Sequence, residues 1–194
     1  MWSRRPLRAA RGLINLADQQ LRRMQLWAHS VHPENALLSL KLESASKRNI
    51  PNEQNHQPMA PATARLQRAN SQQQFGAHLI EVTRMPTGVY NCHGLIFASR
   101  RTNILGNDVR AILNDDKYKK RLTQADVRPG DVVLFVAPDG DIEHSAIVLV
   151  PPSPQNAGIP TVYGKWGQFI EYAHPANLSE YRVDNLEYYR VEWL

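Results

Sequence analysis

Every phenylalanine and every tyrosine of this 194-residue chain lies between residues 75 and 194. Trp166 and Trp193 fall in the same stretch. Cores are built around such side chains, and about 120 residues suffice for an independent domain. Residues 75–194 are therefore expected to hold the fold. Residues 31–74 contain no aromatic side chain, and Pro33, Pro51, Pro58 and Pro61 break them up. Polar runs at 52–57 and 71–74 add to this. That stretch is expected to be a disordered linker, because too little apolar surface is present to offset the entropy of ordering it. A short helix around Ala36–Leu42 is its one candidate element. In residues 1–30, Leu7, Leu13, Ile14, Leu16, Leu21, Met24 and Leu26 recur at roughly helical spacing among arginines, which predicts an Arg-rich amphipathic helical segment.

The net charge of +5 has one source. Six of the 23 basic side chains and one of the 18 acidic ones lie in residues 1–30, so residues 31–194 carry equal numbers of each sign. The expected domain has no overall field to gather phosphates, and no specific nucleic-acid partner is predicted. The N-terminal arginines allow contact with a membrane surface. No run of apolar residues is long enough for a membrane span. The stretch Gly12–Ala17 is interrupted by Asn15 and is too short for a secretory signal. The expected location is cytoplasmic, or outside the cell by a route other than the general secretory one.

Changes of period organise residues 75–194. The run Gly94–Ala98 predicts a helix opening at Cys92 and reaching about Ser99. A second helix is predicted over Asp108–Leu122, capped by Asp108, with Val109, Ile112, Leu113 and Tyr118 on one side. The turn Arg128-Pro129-Gly130-Asp131 leads into an apolar strand, Val132–Val136. A second turn, Pro138–Asp141, precedes a strand from His144 to Val150. After a loop at 151–160, Thr161–Tyr163 opens a third strand, and Leu186–Leu194 forms a last one. Helices first and an antiparallel meander after them describe an α+β fold.

Cys92 is the only cysteine, so intramolecular disulfides and cysteine-based zinc sites are excluded. A thiol at a helix start meets N–H donors and partial positive charge, both of which favour the thiolate. A cysteine nucleophile also needs a base within hydrogen-bond reach and a polar group to orient that base. His144, beginning an apolar strand, is the candidate base. His93 would point away from the thiol as its helical neighbour, and His174 precedes a proline. Asp139, Asp141 and Glu143 do not match calcium-loop spacing, so no metal is expected. Glycine-rich phosphate loops and serine nucleophile elbows are absent, and no cofactor is expected. Lys117, Lys119, Lys120 and Arg121 read as a solvated helix end. Arg100 and Arg101 offer a site for an acidic substrate group.

The series Cys92, then Arg128-Pro-Gly-Asp-Val-Val-Leu-Phe135, then His144-Ser-Ala-Ile-Val-Leu149 resembles the NlpC/P60 branch of the papain-like cysteine peptidases and amidases. The resemblance covers about residues 85–170. It departs at the nucleophile, where this chain has Asn91-Cys92-His93-Gly94 and the family commonly has Asp-Cys-Ser-Gly. It implies an α+β domain with N-terminal helices packed on a small antiparallel sheet. It also implies a Cys92–His144 pair that hydrolyses an amide bond, with peptidoglycan peptides as the default substrate. A third polar residue belongs on the strand after that of His144. Lys165–Gln168 fall near there, and Gln168 has the best chemistry for orienting an imidazole. The backbone N–H of Cys92, with the Asn91 side chain, would bind the oxyanion. Lys165 and Trp166 are candidates for the substrate groove, Trp166 as an apolar wall.

Three other functions fit the same sequence. One is a papain-like domain that has lost catalysis and binds. Another is a thiol acyltransferase or deamidase acting as an effector. In the third, the arginine-rich N-terminus does the work and the domain is a passenger.

Overall fold

The computed structural model describes residues 27–29, 40–55, 59–82, 86–121 and 123–191. Most of the arginine-rich segment lies outside these residues. At its end, strand β1 (Trp27–His29) pairs antiparallel with β2 (Lys41–Glu43). Of the helix expected near Ala36–Leu42, residues 36–39 lie outside the described residues, and Lys41 and Leu42 belong to strand β2.

The expected linker is in large part ordered on the domain. Leu42 and Ile50 are 0% and 1% exposed and sit in the main core. The Asp115 carboxylate accepts from the Ser44 hydroxyl at 2.8 Å and from Arg48 Nε at 2.7 Å. Strand β3 (Asn52–Glu53) pairs with a later strand, and helix α1 (Pro61–Phe75) follows. Proline at the first turn suits α1, because its missing N–H would be unbonded there anyway. Phe75, the one buried residue of α1, meets the edge of Trp166 at 5.1 Å between centroids. Composition hid this order because its anchors are few and their partners are distant.

The rest of the chain supplies β4 (Ile80–Val82), α2 (Cys92–Phe97), β5 (Asn103–Ile104), α3 (Gly106–Asp115) and β6 (Tyr118–Lys120). It continues through β7 (Val132–Val136), β8 (Ile142–Val150), β9 (Thr161–Lys165), β10 (Glu171–Pro175) and β11 (Leu186–Val191). Seven strands form one antiparallel sheet in the order β4-β10-β9-β8-β7-β11-β6, while β3 and β5 form a separate pair. The fold is α+β, with few helices and antiparallel sheets.

The helix expected to run to Leu122 stops at Asp115 and is not capped by Asp108, which lies in its first turn. Lys117 has φ 60°, and residues 118–120 leave the helix to pair with β11. The pairing gives those backbone groups sheet partners, which outweighs helix propensity. The turn before β7 needs Gly130, whose φ is +91°. Asp131 there accepts the Arg128 N–H and takes a two-pronged contact from Arg190, both prongs 2.7 Å.

Helices α2 and α3 cover one face of the sheet, over Val132, Leu134, Ile147 and Leu149. On the other face Val133, Phe135, Ala146 and Val148 pack under Ala176, Tyr181 and Val183, from the irregular segment between β10 and β11. Among the described residues no helix is long and apolar enough to cross a membrane.

Candidate active site

Asn91 starts helix α2. Its extended backbone lets Oδ1 accept from Gly94 N at 2.8 Å, the geometry of an N-cap. Oδ1 also accepts from Ile104 N, and Nδ2 donates to Ile104 O at 2.7 Å. The side chain therefore caps the helix and ties it to β5, which corrects its expected place as an oxyanion donor. Gly94 is a steric necessity, because a Cβ there would stand 1.7 Å from Thr102 O.

His144 owes its position to an irregularity in the β7–β8 ladder. Phe135 opposes His144 and Val136 opposes Ile142, leaving Glu143 as an extra residue. Such a bulge changes which face the next side chains take. Ile142 joins the helix-side core, whereas His144 packs edge-on against Phe135, with ring centroids 4.9 Å apart. Tyr181 stacks on the imidazole, with centroids 4.3 Å apart and planes 6° apart. Gly164 of β9 leaves space for the ring: a Cβ there would lie 2.8 Å from His144 Nε2.

Cys92 and His144 are brought together. Burial alone would push the thiol up. The charge and close approach of His144, with backbone amides of Ser145 and His93 bonding the sulfur, outweigh burial and hold it below its ordinary value. Burial pushes the His144 imidazole down, and Cys92 opposes this. The two groups titrate as a pair. They do not form an aligned hydrogen bond: among the described residues, neither buried ring nitrogen of His144 has a partner. Cys92 is 4% exposed and His144 0%, so the pair is covered.

Gln168 does not orient His144. It is exposed in the β9–β10 turn, where its carbonyl accepts from Thr87 N. The register Ala146↔Gly164 puts Trp166, just past the end of β9, nearer the row of His144. Trp166 is wholly buried against Phe75, Tyr172 and His174, so it is core rather than a groove wall. Its Nε1 donates to His174 Nε2 at 3.3 Å, and His174 Nδ1 donates to Pro175 O. His93 Nδ1 bonds the Ser145 hydroxyl at 2.9 Å. Burial pushes both His93 and His174 down to about 4, so both are neutral structural groups. Lys165 is buried, with Nζ donating to Gly167 O at 2.7 Å and Phe169 O at 3.0 Å. It lies within electrostatic reach of Cys92.

Two residues at the site had gone unassigned. Tyr181 lies in an irregular segment with no motif to mark it. Glu171 opens β10, accepts the Tyr90 hydroxyl at 2.8 Å and pairs with Arg100 Nε at 2.8 Å. The acid expected for Arg100 in a substrate is met here inside the chain. Among the described residues, no three His, Cys, Asp or Glu side chains are grouped so as to hold a metal ion. Compared with family models, curated proteins and solved structures, the chain matches none.

Proposed function

We propose that this protein is a thiol-dependent hydrolase of amide bonds, a peptidase or amidase with Cys92 as nucleophile and His144 as base. The observation that carries this reading is a lone thiol at a helix start, held toward its thiolate by a buried imidazole whose ring nitrogens have no hydrogen-bond partner among the described residues. In the first step Cys92 Sγ attacks the carbonyl carbon, and the carbonyl electron pair moves onto oxygen. The main-chain N–H of Cys92 donates to that oxyanion. Collapse expels the amine, which takes its proton from His144 and leaves a thioester on Cys92. Water then attacks the thioester, gives a proton to His144, and frees the acid, leaving the Cys92 thiolate beside protonated His144 as at the start.

The resemblance to NlpC/P60 enzymes supports a papain-like fold and peptidoglycan peptides as the first substrates to try. Fold analogy does not choose a substrate. A binding domain without turnover is the second reading. Two observations favour it: His144 has no orienting partner, and the pair is covered.

The rate of Cys92 alkylation by iodoacetamide, followed against pH in the wild type and in His144→Ala, decides between them. A reactive thiolate near pH 6 that disappears in the variant is the expected result. A rate that ignores His144 leaves only the binding reading.

A further inference from the structure

Among the described residues no hydrogen bond orients the His144 imidazole, so its place depends on packing and on where β8 puts it. That part of β8 is irregular: Phe135 opposes His144 and Val136 opposes Ile142, so Glu143 stands unopposed. A bulge leaves local ladder bonds unmade. Moving it by one residue would turn His144 to the opposite face, because neighbouring side chains of a strand alternate.

His93 spans this bulge. Its Nδ1 lies 2.9 Å from the Ser145 hydroxyl, and both residues are buried. The other side of the ring meets the Ile142 carbonyl. Nε2 is the nitrogen there: a Cβ at Gly106, the first residue of α3, would stand 2.4 Å from Ile142 O and 3.7 Å from His93 Nε2. Burial keeps His93 neutral, and a neutral imidazole has one donor and one acceptor. With Nε2–H donating to Ile142 O, Nδ1 accepts from the Ser145 hydroxyl and both nitrogens are satisfied. His93 thus grips residues 142 and 145, on either side of Glu143 and His144.

The order of residues gives that grip its consequence. His93 follows Cys92 on α2, and Ser145 follows His144 on β8. A buried hydrogen bond between the two followers joins the element carrying the nucleophile to the element carrying the base. The main-chain amides of the same two residues bond the sulfur. A six-residue helix has little stability of its own, so its seat on β8 depends on such contacts.

We propose that His93 and Ser145 are positioning residues, whose hydrogen bond fixes the bulge at Glu143 and so holds the His144 imidazole beside the Cys92 thiol. This rests on the Cys–His reading of the site and adds to it what sets the geometry of the pair.

The test is the pH midpoint of Cys92 alkylation by iodoacetamide in the full chain, with melting temperature measured beside it. Ser145→Ala removes the hydroxyl, and His93→Gln retains only a donor for Ile142 O. Each should raise the midpoint by about one pH unit, roughly a tenfold loss of thiolate below it. Ser145→Thr restores the hydroxyl and should bring the midpoint back. His174→Gln is the control for a merely structural buried histidine: it should lower the melting temperature and leave the midpoint in place. Should His93→Gln fail to fold, Ser145→Ala carries the test alone.

A wild-type midpoint in Ser145→Ala, or an equal shift in His174→Gln, overturns the proposal. His144→Ala, read in the same assay, separates the two failures. If it moves the midpoint and Ser145→Ala does not, this inference falls and the Cys–His reading stands. If it leaves the midpoint unmoved, the Cys–His reading falls and this inference with it.

Discussion

The phenol ring of Tyr181 lies flat on the imidazole of His144, 4.3 Å away and within 6° of parallel. Its hydroxyl accepts from Gly167 N at 2.9 Å, which ties the segment between β10 and β11 to the β9–β10 turn. No incoming group can approach the ring from that side while the stack holds. Tyr181→Ala should therefore raise the plateau rate of Cys92 alkylation at high pH, where the thiol is fully ionised. A stacked pair is worth about 0.5–1.5 kcal/mol, so the gain should be roughly threefold to tenfold. Tyr181→Phe retains the ring, loses the Gly167 bond, and should fall between. A plateau that Tyr181→Ala leaves unchanged would show that the phenol does not limit access.

Two glycines separate folding from chemistry. Gly94→Ala would drive a methyl group into the Thr102 carbonyl, which is backbone and cannot step aside. A loss of about 3 kcal/mol or more is expected, read from denaturant unfolding. Gly164→Ala meets a side-chain ring instead, His144, confined by Phe135 and Tyr181. That variant should fold, with the imidazole displaced and the alkylation midpoint of Cys92 moved up toward that of an ordinary thiol. A Gly164→Ala protein with the wild-type midpoint would mean that the ring does not need this space.

Acid should unfold the domain through its buried histidines. His93 and His174 have native values near 4 against 6.5 when free, because burial disfavours their charged forms. Between those values the unfolded chain binds more protons than the native one, so stability falls as pH falls from 6.5 to 4 and is complete above 6.5. The two together account for a loss of roughly 6 kcal/mol at the acid end. Glu187 acts lower: burial raises its carboxyl, but Lys120 and Arg110 outweigh that and bring it to about 2. Unfolding free energy measured at pH 7, 5.5 and 4.5 should drop in step. His174→Gln should flatten the decline, and a parallel decline in that variant would exclude His174 as a source.

The central strands were legible because β7 and β8 are buried on both faces and read as apolar runs between glycine turns. The start of α2 was legible from the apolar run Gly94–Ala98, while the cap that Asn91 supplies was not read. What escaped depends on partners distant in sequence. The early end of α3 is set by pairing with β11, some seventy residues on. The face taken by His144 depends on the bulge at Glu143, whereas the choice of Gln168 failed on the separate pairing of β8 with β9, which sets Ala146 opposite Gly164. A count along the strands places Gln168 near His144, whereas the ladder runs out before reaching it. Tyr181 reaches the site only because an irregular segment folds back across the sheet.

The ordering of residues 40–55 is the largest departure from composition, and it rests on two side chains. Leu42 and Ile50 enter the core shared with α2 and α3, beside Ile104 and Ile112. If this segment were a linker, truncating either residue would cost little. Because both are fully buried, Leu42→Ala and Ile50→Ala should each cost about 2–5 kcal/mol. Leu66→Ala on the exposed face of α1 serves as the control and should stay within about 0.5 kcal/mol. The site should feel the same change. Asn52 accepts from the Thr102 hydroxyl at 2.8 Å, and Thr102 is the residue that closes over Gly94. Loosening residues 40–55 should therefore also shift the Cys92 alkylation midpoint, whereas loss of stability with an unmoved midpoint would confine the role of this segment to the core.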